Sequence, residues 1–317
     1  MKVLVAGATG AVGGALVPAL IRAGHTVVGT TRSPQNAERL RAAGAEALVV
    51  DVLDARATLE AVRRAEPEAI IHQATSLKGA GNLRKFDQEF ALTNRLRTEG
   101  TDNLLAAAPG ARFIAQSYAG WPFAREGGPV KTEENALDAD VGKEARQTLA
   151  GIRRLEETVV AAGGLALRYG AFYGPGTSVS REGPIADAIR KRKFPIVGSG
   201  AGIWSFTHVD DVAAATIRAL EHGAAGVYNV VDDEPAPVSD WLPVLAAAIG
   251  AKPPRHVPAW LGRLLIGEHG LNMMETTRGA SNAKAKRELG WQPIWPTWRE
   301  GFRHGLEPGG RPAPVSG

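Results

Sequence analysis

The residues best suited to chemistry stand in the first turn of the chain. Gly7, Gly10 and Gly13, in the run Gly7-Ala8-Thr9-Gly10-Ala11-Val12-Gly13, lie between the apolar stretch Lys2–Ala6 and a segment of helical periodicity reaching about Ala23. A tight turn, a close approach of backbone to an anion and a close helix–strand contact each exclude a Cβ, while the helix N-terminus offers unpaired N–H groups. That context predicts a pyrophosphate cradle formed by Gly7, Thr9, Gly10, Ala11, Val12 and Gly13, hence a dinucleotide. Which dinucleotide depends on the end of the second strand, where an acid would hold a ribose 2′-hydroxyl. No acid is there: Val28-Gly29-Thr30-Thr31-Arg32-Ser33 places a guanidinium and hydroxyls where a 2′-phosphate would lie, so Thr31, Arg32 and Ser33 point to NADP(H) rather than NAD(H). Asp51-Val52, just past the third strand, either meets the adenine edge or caps the next helix.

A cradle of this kind needs a parallel sheet beneath it. Lys2–Ala6, Thr26–Gly29, Ala47–Val50, Ala69–His72, Arg112–Ala115 and Leu165–Arg168 read as strands, with amphipathic helical segments between them. The alternation requires parallel pairing with right-handed crossovers: an α/β fold, a Rossmann-type doubly wound sheet with its ligand at the carboxyl edge. Glu126–Gly142, rich in Gly, Pro and charge, reads as a long loop near that edge. Beyond Gly170 the regularity loosens, with Asp210–Glu221 and Trp241–Ile249 reading as helices and Val227–Val230 as a strand. The expected division is a dinucleotide-binding core over 1–170, a smaller substrate-binding lobe over 171–306 with segments returning to the core, and a disordered tail over 307–317.

Composition narrows the class. Of 317 residues 44% are hydrophobic and 22% charged, with no cysteine, and no apolar run is long enough to cross a bilayer; the expectation is a cytoplasmic enzyme without disulfides or thiolate chemistry. The net charge of +4 is small, and its one dense cluster, Arg190-Lys191-Arg192-Lys193, lacks interleaved aromatics and reads as a solvated helix end rather than a nucleic-acid surface. The seven histidines are scattered without metal-ligand spacing, so no metal site is expected.

From Met1 to about Leu306 the chain resembles the extended short-chain dehydrogenase/reductase family, the NAD-dependent epimerase/dehydratase family. Beyond the glycine turn, the resemblance is carried by His72-Gln73-Ala74 and by Thr93-Asn94 with Gly100-Thr101-Asp102-Asn103-Leu104-Leu105. Further along, Leu167-Arg168-Tyr169-Gly170 followed by Tyr173-Gly174-Pro175-Gly176, Ser205-Phe206-Thr207-His208-Val209-Asp210-Asp211-Val212-Ala213 and Glu288-Leu289-Gly290-Trp291-Gln292-Pro293 continue it. The resemblance implies that Gln73, Ala74, Thr75 and Tyr169 meet the cofactor, and that Ser117, after the fifth strand, hydrogen-bonds a substrate oxygen. It also implies a homodimer built on helices beside the active site.

The family's chemistry also calls for a Tyr-x-x-x-Lys pair on the following helix. None of the four tyrosines has lysine four residues on: the residues there are Pro122, Tyr173, Thr177 and Asp232. Registered on Glu156, the helix carries Thr148 at the tyrosine position and Ile152 at the lysine position; shifted by one, Leu149 and Arg153. Thr148 can orient a substrate or water but is a very poor acid. Tyr118, Trp121 and Tyr173 are the candidates for lining a substrate pocket, which the aromatic content of these loops suggests is apolar. Three functions follow: an NADPH-dependent reductase of a small apolar organic substrate with an atypical active site, a nucleotide-sugar epimerase or dehydratase, or a non-catalytic NADP(H)-binding sensor.

Overall fold

The computed structural model describes residues 1–77 and 81–312. Seven strands form one parallel sheet: β1 (Lys2–Ala6), β2 (Thr26–Thr31), β3 (Glu46–Val49), β4 (Ala69–His72), β5 (Arg112–Tyr118), β6 (Leu165–Tyr169) and β7 (Gly226–Val230), in the order β7-β6-β5-β4-β1-β2-β3. The order reverses between β1 and β4, which opens the crevice at the carboxyl edge that a doubly wound sheet offers a ligand.

Buried strands of this kind show near-continuous apolar runs because helices cover both faces. On one face α1 (Ala11–Arg22) packs through Val12, Leu16 and Leu20 against Val212, Ala215 and Ala219 of a later helix, α6 (Val209–Glu221), over the sheet residues Val3, Val5 and Ile114. On the other face Leu155 and Val159 of α5 (Arg146–Ala161) meet Leu104, Phe113 and Ala115, together with Val62. Here α2 (Pro34–Ala42) and α3 (Ala55–Ala65) follow β2 and β3, and α4 (Thr101–Ala107) precedes β5. Helix Ala91–Arg95 runs into α4 through one widened turn, Leu96–Gly100, with π geometry.

The strands and helices expected from the sequence are all present within a residue or three of their limits. Glu126–Gly142 contains one element that was not expected: Val130–Lys131 pairs in parallel with Gly279–Ala280. A second apolar cluster gathers Phe206, Trp241, Trp295, Trp298 and Phe302, all from the part of the chain after β6. Arg190 ends a helix begun at Pro184, and Lys191 pairs with Asp187 on that helix at 2.7 Å. In the terminal segment Glu307 pairs with Arg181 at 2.6 Å and Gly310 N–H donates to Glu307 O; residues 313–317 lie outside the described residues. No helix among the described residues is long and apolar enough to cross a membrane.

Candidate active site

Each glycine of the first turn has its own reason. Gly7 has φ of +87°, and a Cβ there would lie 2.7 Å from the backbone of Gln73 and Ala74, so the turn after β1 presses directly on the chain leaving β4. A Cβ at Gly13 would lie 2.3 Å from the Ala8 carbonyl oxygen. Gly10 differs: the nearest atom to its Cβ position is Gly7 O at 3.5 Å, an ordinary contact. Nothing among the described residues requires glycine there, and the absence of a side chain leaves the backbone open toward the cleft. Gly10 is also the N-cap of α1, without a side-chain cap or an acid in the first turn. Gly14 N–H is bonded to Gly10 O, and the Ala11, Val12 and Gly13 N–H groups before it have no intrahelical acceptor. A cleft of about 560 Å³ opens on Thr9, Gly10 and Ala11 and is bounded by Pro175, Gly176, His208 and Glu307–Gly310. These residues fit the pyrophosphate of a dinucleotide.

At the far end of the crevice Arg32 is exposed, directly after β2, and forms no ion pair among the described residues. Ser33 caps α2 by accepting from Asn36 N–H at 3.4 Å, and its own N–H donates to Thr31 Oγ1 at 3.2 Å, which fixes the turn carrying Arg32. The cap of α3 is Asp54, not Asp51; Asp51 accepts from Leu53 N–H inside the preceding turn, while Val52 is buried and its carbonyl accepts from Asn103. Ala74 and Thr75 line the partly open chain leaving β4.

Four of the expected site residues are turned to structural work. Ser117 is 2% exposed, and its hydroxyl donates to Glu156 Oε1 at 2.6 Å. The same carboxylate receives Arg168 from Nε at 2.7 Å and Nη2 at 2.6 Å, all within the interior. Ser117 points to α5 rather than into the crevice because its neighbours along β5, Phe113 and Ala115, pack on that face and side chains alternate along a strand. Thr148 is fully buried; its hydroxyl donates to Asp87 Oδ1 at 2.7 Å and accepts from Asn94 Nδ2 at 3.1 Å, while the Thr148 and Gln147 N–H groups also donate to Asp87. Asp87 thus caps α5 from outside it, and Thr148 belongs to that cap. Tyr173 is enclosed by Phe206, His208 and Phe302 and does not enter the cleft. Tyr169 is likewise fully buried, its hydroxyl shared with Thr216 at 2.7 Å and receiving Gln73 Nε2 at 3.3 Å. Through Gln73 it supports the cofactor crevice from below.

Tyr118 faces the other way from Ser117 and is only half-buried. Burial pushes its phenol up to about 12, so it stays protonated, and no hydrogen bond to its hydroxyl is formed among the described residues. Its ring lies 6.4 Å from Trp121, which in turn meets Phe86 at 5.5 Å and His269 at 4.8 Å, edge to face. Burial lowers His269 to about 4, so its imidazole is neutral near pH 7; it bonds the Val141 backbone, and Nε2 has no partner among the described residues. These rings form an aromatic wall just beyond β5. Arg153 does not reach it, because its Nη2 donates to the carbonyls of Leu137 and Asp138.

Phe86, Asp87 and His269 were not anticipated from the sequence. Nothing local marks them, since they meet only when the short helix Phe86–Glu89 and the helix Ala259–Glu275 close on the loop after β5. The Glu156–Arg168 pair did leave a signal: an arginine inside the apolar strand Leu165–Tyr169 must find a buried carboxylate.

A family model described as the NAD dependent epimerase/dehydratase family matches residues 3–231. Over 311 residues the chain is 43% identical to a 3-diazoavenalumate denitrifying reductase of a Streptomyces species, covering 95% of this chain and 99% of that protein. It is 28% identical over 266 residues to the 2-alkyl-3-oxoalkanoate reductase of Stenotrophomonas maltophilia, covering 79% and 76%. Among solved structures, a UDP-glucose 4-epimerase of Thermotoga maritima superposes with a TM-score of 0.74 at 20% identity, over 96% of this chain and 97% of that one. A UDP-glucose 4-epimerase of Thermus thermophilus, in complex with NAD, gives 0.72 at 23%, over 96% and 98%.

Proposed function

The chain belongs to the NAD-dependent epimerase/dehydratase family and is an oxidoreductase of the short-chain dehydrogenase/reductase type, and from that premise we propose that it is an NADPH-dependent reductase that removes nitrogen from a small, flat diazo compound. One observation carries the reading. Helix α5 offers no free proton donor toward the end of β5: it contains neither tyrosine nor lysine, Ile152 is buried, the Thr148 hydroxyl donates a hydrogen bond to Asp87, and Glu156 is held by Arg168 and Ser117.

A reduction that leaves an alkoxide needs a nearby proton donor; one whose leaving group is dinitrogen does not. When bound, NADPH supplies the hydride that converts R–N₂⁺ to R–H with release of N₂, a balance that closes without a protein-borne proton. The protein's part is positioning. Gly7, Gly10 and the first N–H groups of α1 hold the pyrophosphate, Arg32 and Ser33 the 2′-phosphate, and Trp121, Phe86 and Tyr118 the flat substrate. The protonated Tyr118 hydroxyl orients a substrate oxygen by donating to it. The similarity to the denitrifying reductase supports the diazo group, and Arg32 at the end of β2 supports NADPH.

The free Tyr118 hydroxyl also favours a second reading, reduction of a carbonyl with Tyr118 as proton donor. Incubation with NADPH and either a hydroxyarenediazonium carboxylate or a β-keto acid separates the two. The expected result is enzyme-dependent release of one N₂ per NADPH oxidised, above the enzyme-free rate. Turnover of the keto acid alone, lost in Tyr118→Phe, would replace the first reading by the second.

A further inference from the structure

Arg97 sits in the widened turn Leu96–Gly100 and is 8% exposed, yet it is poorly provided for. The one hydrogen bond of its guanidinium among the described residues runs from Nη1 to Asn94 Oδ1 at a long 3.3 Å, and it forms no ion pair with a described carboxylate. The nearest negative charge it feels is Glu156, whose two oxygens are already taken by Arg168 and Ser117. Nε and Nη2 have no acceptor among the described residues, and they are not among the sealed-in polar atoms, so they reach accessible surface. An arginine buried to this degree is normally paired on several of its five donors.

The neighbours locate the guanidinium. Asn94 joins it to Thr148 and abuts Gly151, and its charge acts on Glu156 and on the buried His72 at the end of β4. Thr148, Ile152 and Glu156 are spaced by four residues along α5 and share one face. Asn94 therefore holds the head of Arg97 beside α5 at the level of Thr148 and Gly151, next to Ile152 in the chain. Ser117, bonded to Glu156, is the last residue but one of β5, so this level of α5 lies just beyond the carboxyl end of the sheet. That is the level at which the nicotinamide half of a dinucleotide must lie if its pyrophosphate is on Gly10.

We propose that Arg97 is a cofactor-positioning residue, whose free N–H groups donate to the ribose hydroxyl oxygens on the nicotinamide side. The proposal rests on the NADPH reading above. It gives the widened turn Leu96–Gly100, rather than α5, the task of fixing the hydride donor, and it accounts for that turn, which swings Arg97 inward between its exposed neighbours Arg95 and Glu99.

The test separates the two halves of the cofactor. Fluorescence titration of wild type, Arg97→Met and Arg97→Lys would use NADPH, reduced nicotinamide mononucleotide and 2′,5′-ADP as probes, with thermal unfolding recorded alongside. Expected is a loss of about 10- to 100-fold in affinity for NADPH and the mononucleotide in Arg97→Met, with 2′,5′-ADP unchanged and partial recovery in Arg97→Lys. A merely structural arginine would lower the melting temperature and weaken all three probes alike, and that result overturns the proposal, as does unchanged mononucleotide binding. The lysine variant keeps the charge and carries the test should the methionine variant fail to fold. If wild type binds neither NADPH nor 2′,5′-ADP, it is the cofactor reading itself that fails.

Discussion

Replacing Ser117 by alanine tests whether its hydroxyl serves structure or chemistry. In the structure the hydroxyl donates to Glu156 Oε1 at 2.6 Å, a charge-assisted bond in the interior. Such bonds contribute about 1.5–3 kcal/mol. Because Arg168 still holds both Glu156 oxygens, at 2.7 and 2.6 Å, the carboxylate is not orphaned, and the lower end, about 1.5 kcal/mol, is expected. Glu156→Leu is the harsher companion. It leaves Arg168, whose side chain is 5% exposed, without its partner and should cost about 3–5 kcal/mol. Urea unfolding would read both losses, and steady-state kinetics with NADPH would read kcat beside them. Ser117→Ala should shift the urea midpoint while kcat stays within a few-fold of wild type. A fall in kcat of about 100-fold or more with an unmoved midpoint would mean that the hydroxyl reaches a transition state, and the structural assignment of Ser117 would be refuted.

The glycines of the first turn should part company. Gly10→Ala should fold with a near wild-type melting temperature yet lose most NADPH affinity, whereas Gly13→Ala, whose Cβ would meet Ala8 O at 2.3 Å, should be destabilised before any ligand is added. Calorimetry and titration on the two variants decide it. Arg32→Ala should weaken NADPH by about 10- to 100-fold and leave NADH within a few-fold; equal losses for both would remove Arg32 from the 2′-phosphate. Acid stability carries a third signature. His72 and His269 are each lowered to about 4, chiefly by burial, against 6.5 when unfolded. The unfolded chain therefore takes up these protons first, and stability falls as pH drops from 6.5 to about 4, by up to about 3 kcal/mol for each histidine. His269→Phe should flatten that acid limb, and an unchanged slope would show that His269 does not titrate there.

The sheet was legible in the sequence because apolar strands alternating with amphipathic helices have few other ways to bury both faces. The glycine turn was legible for the same local reason. What the sequence could not supply was direction. Ser117 and Tyr118 are adjacent, and a strand sends them to opposite faces; which face meets α5 is decided by Phe113 and Ala115 packing there. Thr148 looked free as a side chain on a helix, but its partner Asp87 lies some sixty positions earlier on another helix. Val130–Lys131 became a strand only through Gly279–Ala280, and two residues leave no periodicity to read. Arg97, among the charged run Arg95-Leu96-Arg97-Thr98-Glu99, had no feature to separate it from its solvated neighbours until the widened turn was seen.

The packing of α1 on α6 sets an order of events during synthesis. The helix whose N-terminus we assign to the pyrophosphate rests on Val212, Ala215 and Ala219, and the sheet gains its last strand only at Gly226–Val230. A nascent chain that has displayed the glycine turn and all of β1–β6 still lacks the surface that steadies that turn. Nucleotide capture must therefore wait until some sixty further residues, through Val230, have left the ribosome, and a fragment ending near Gly170 would present the motif without the pocket.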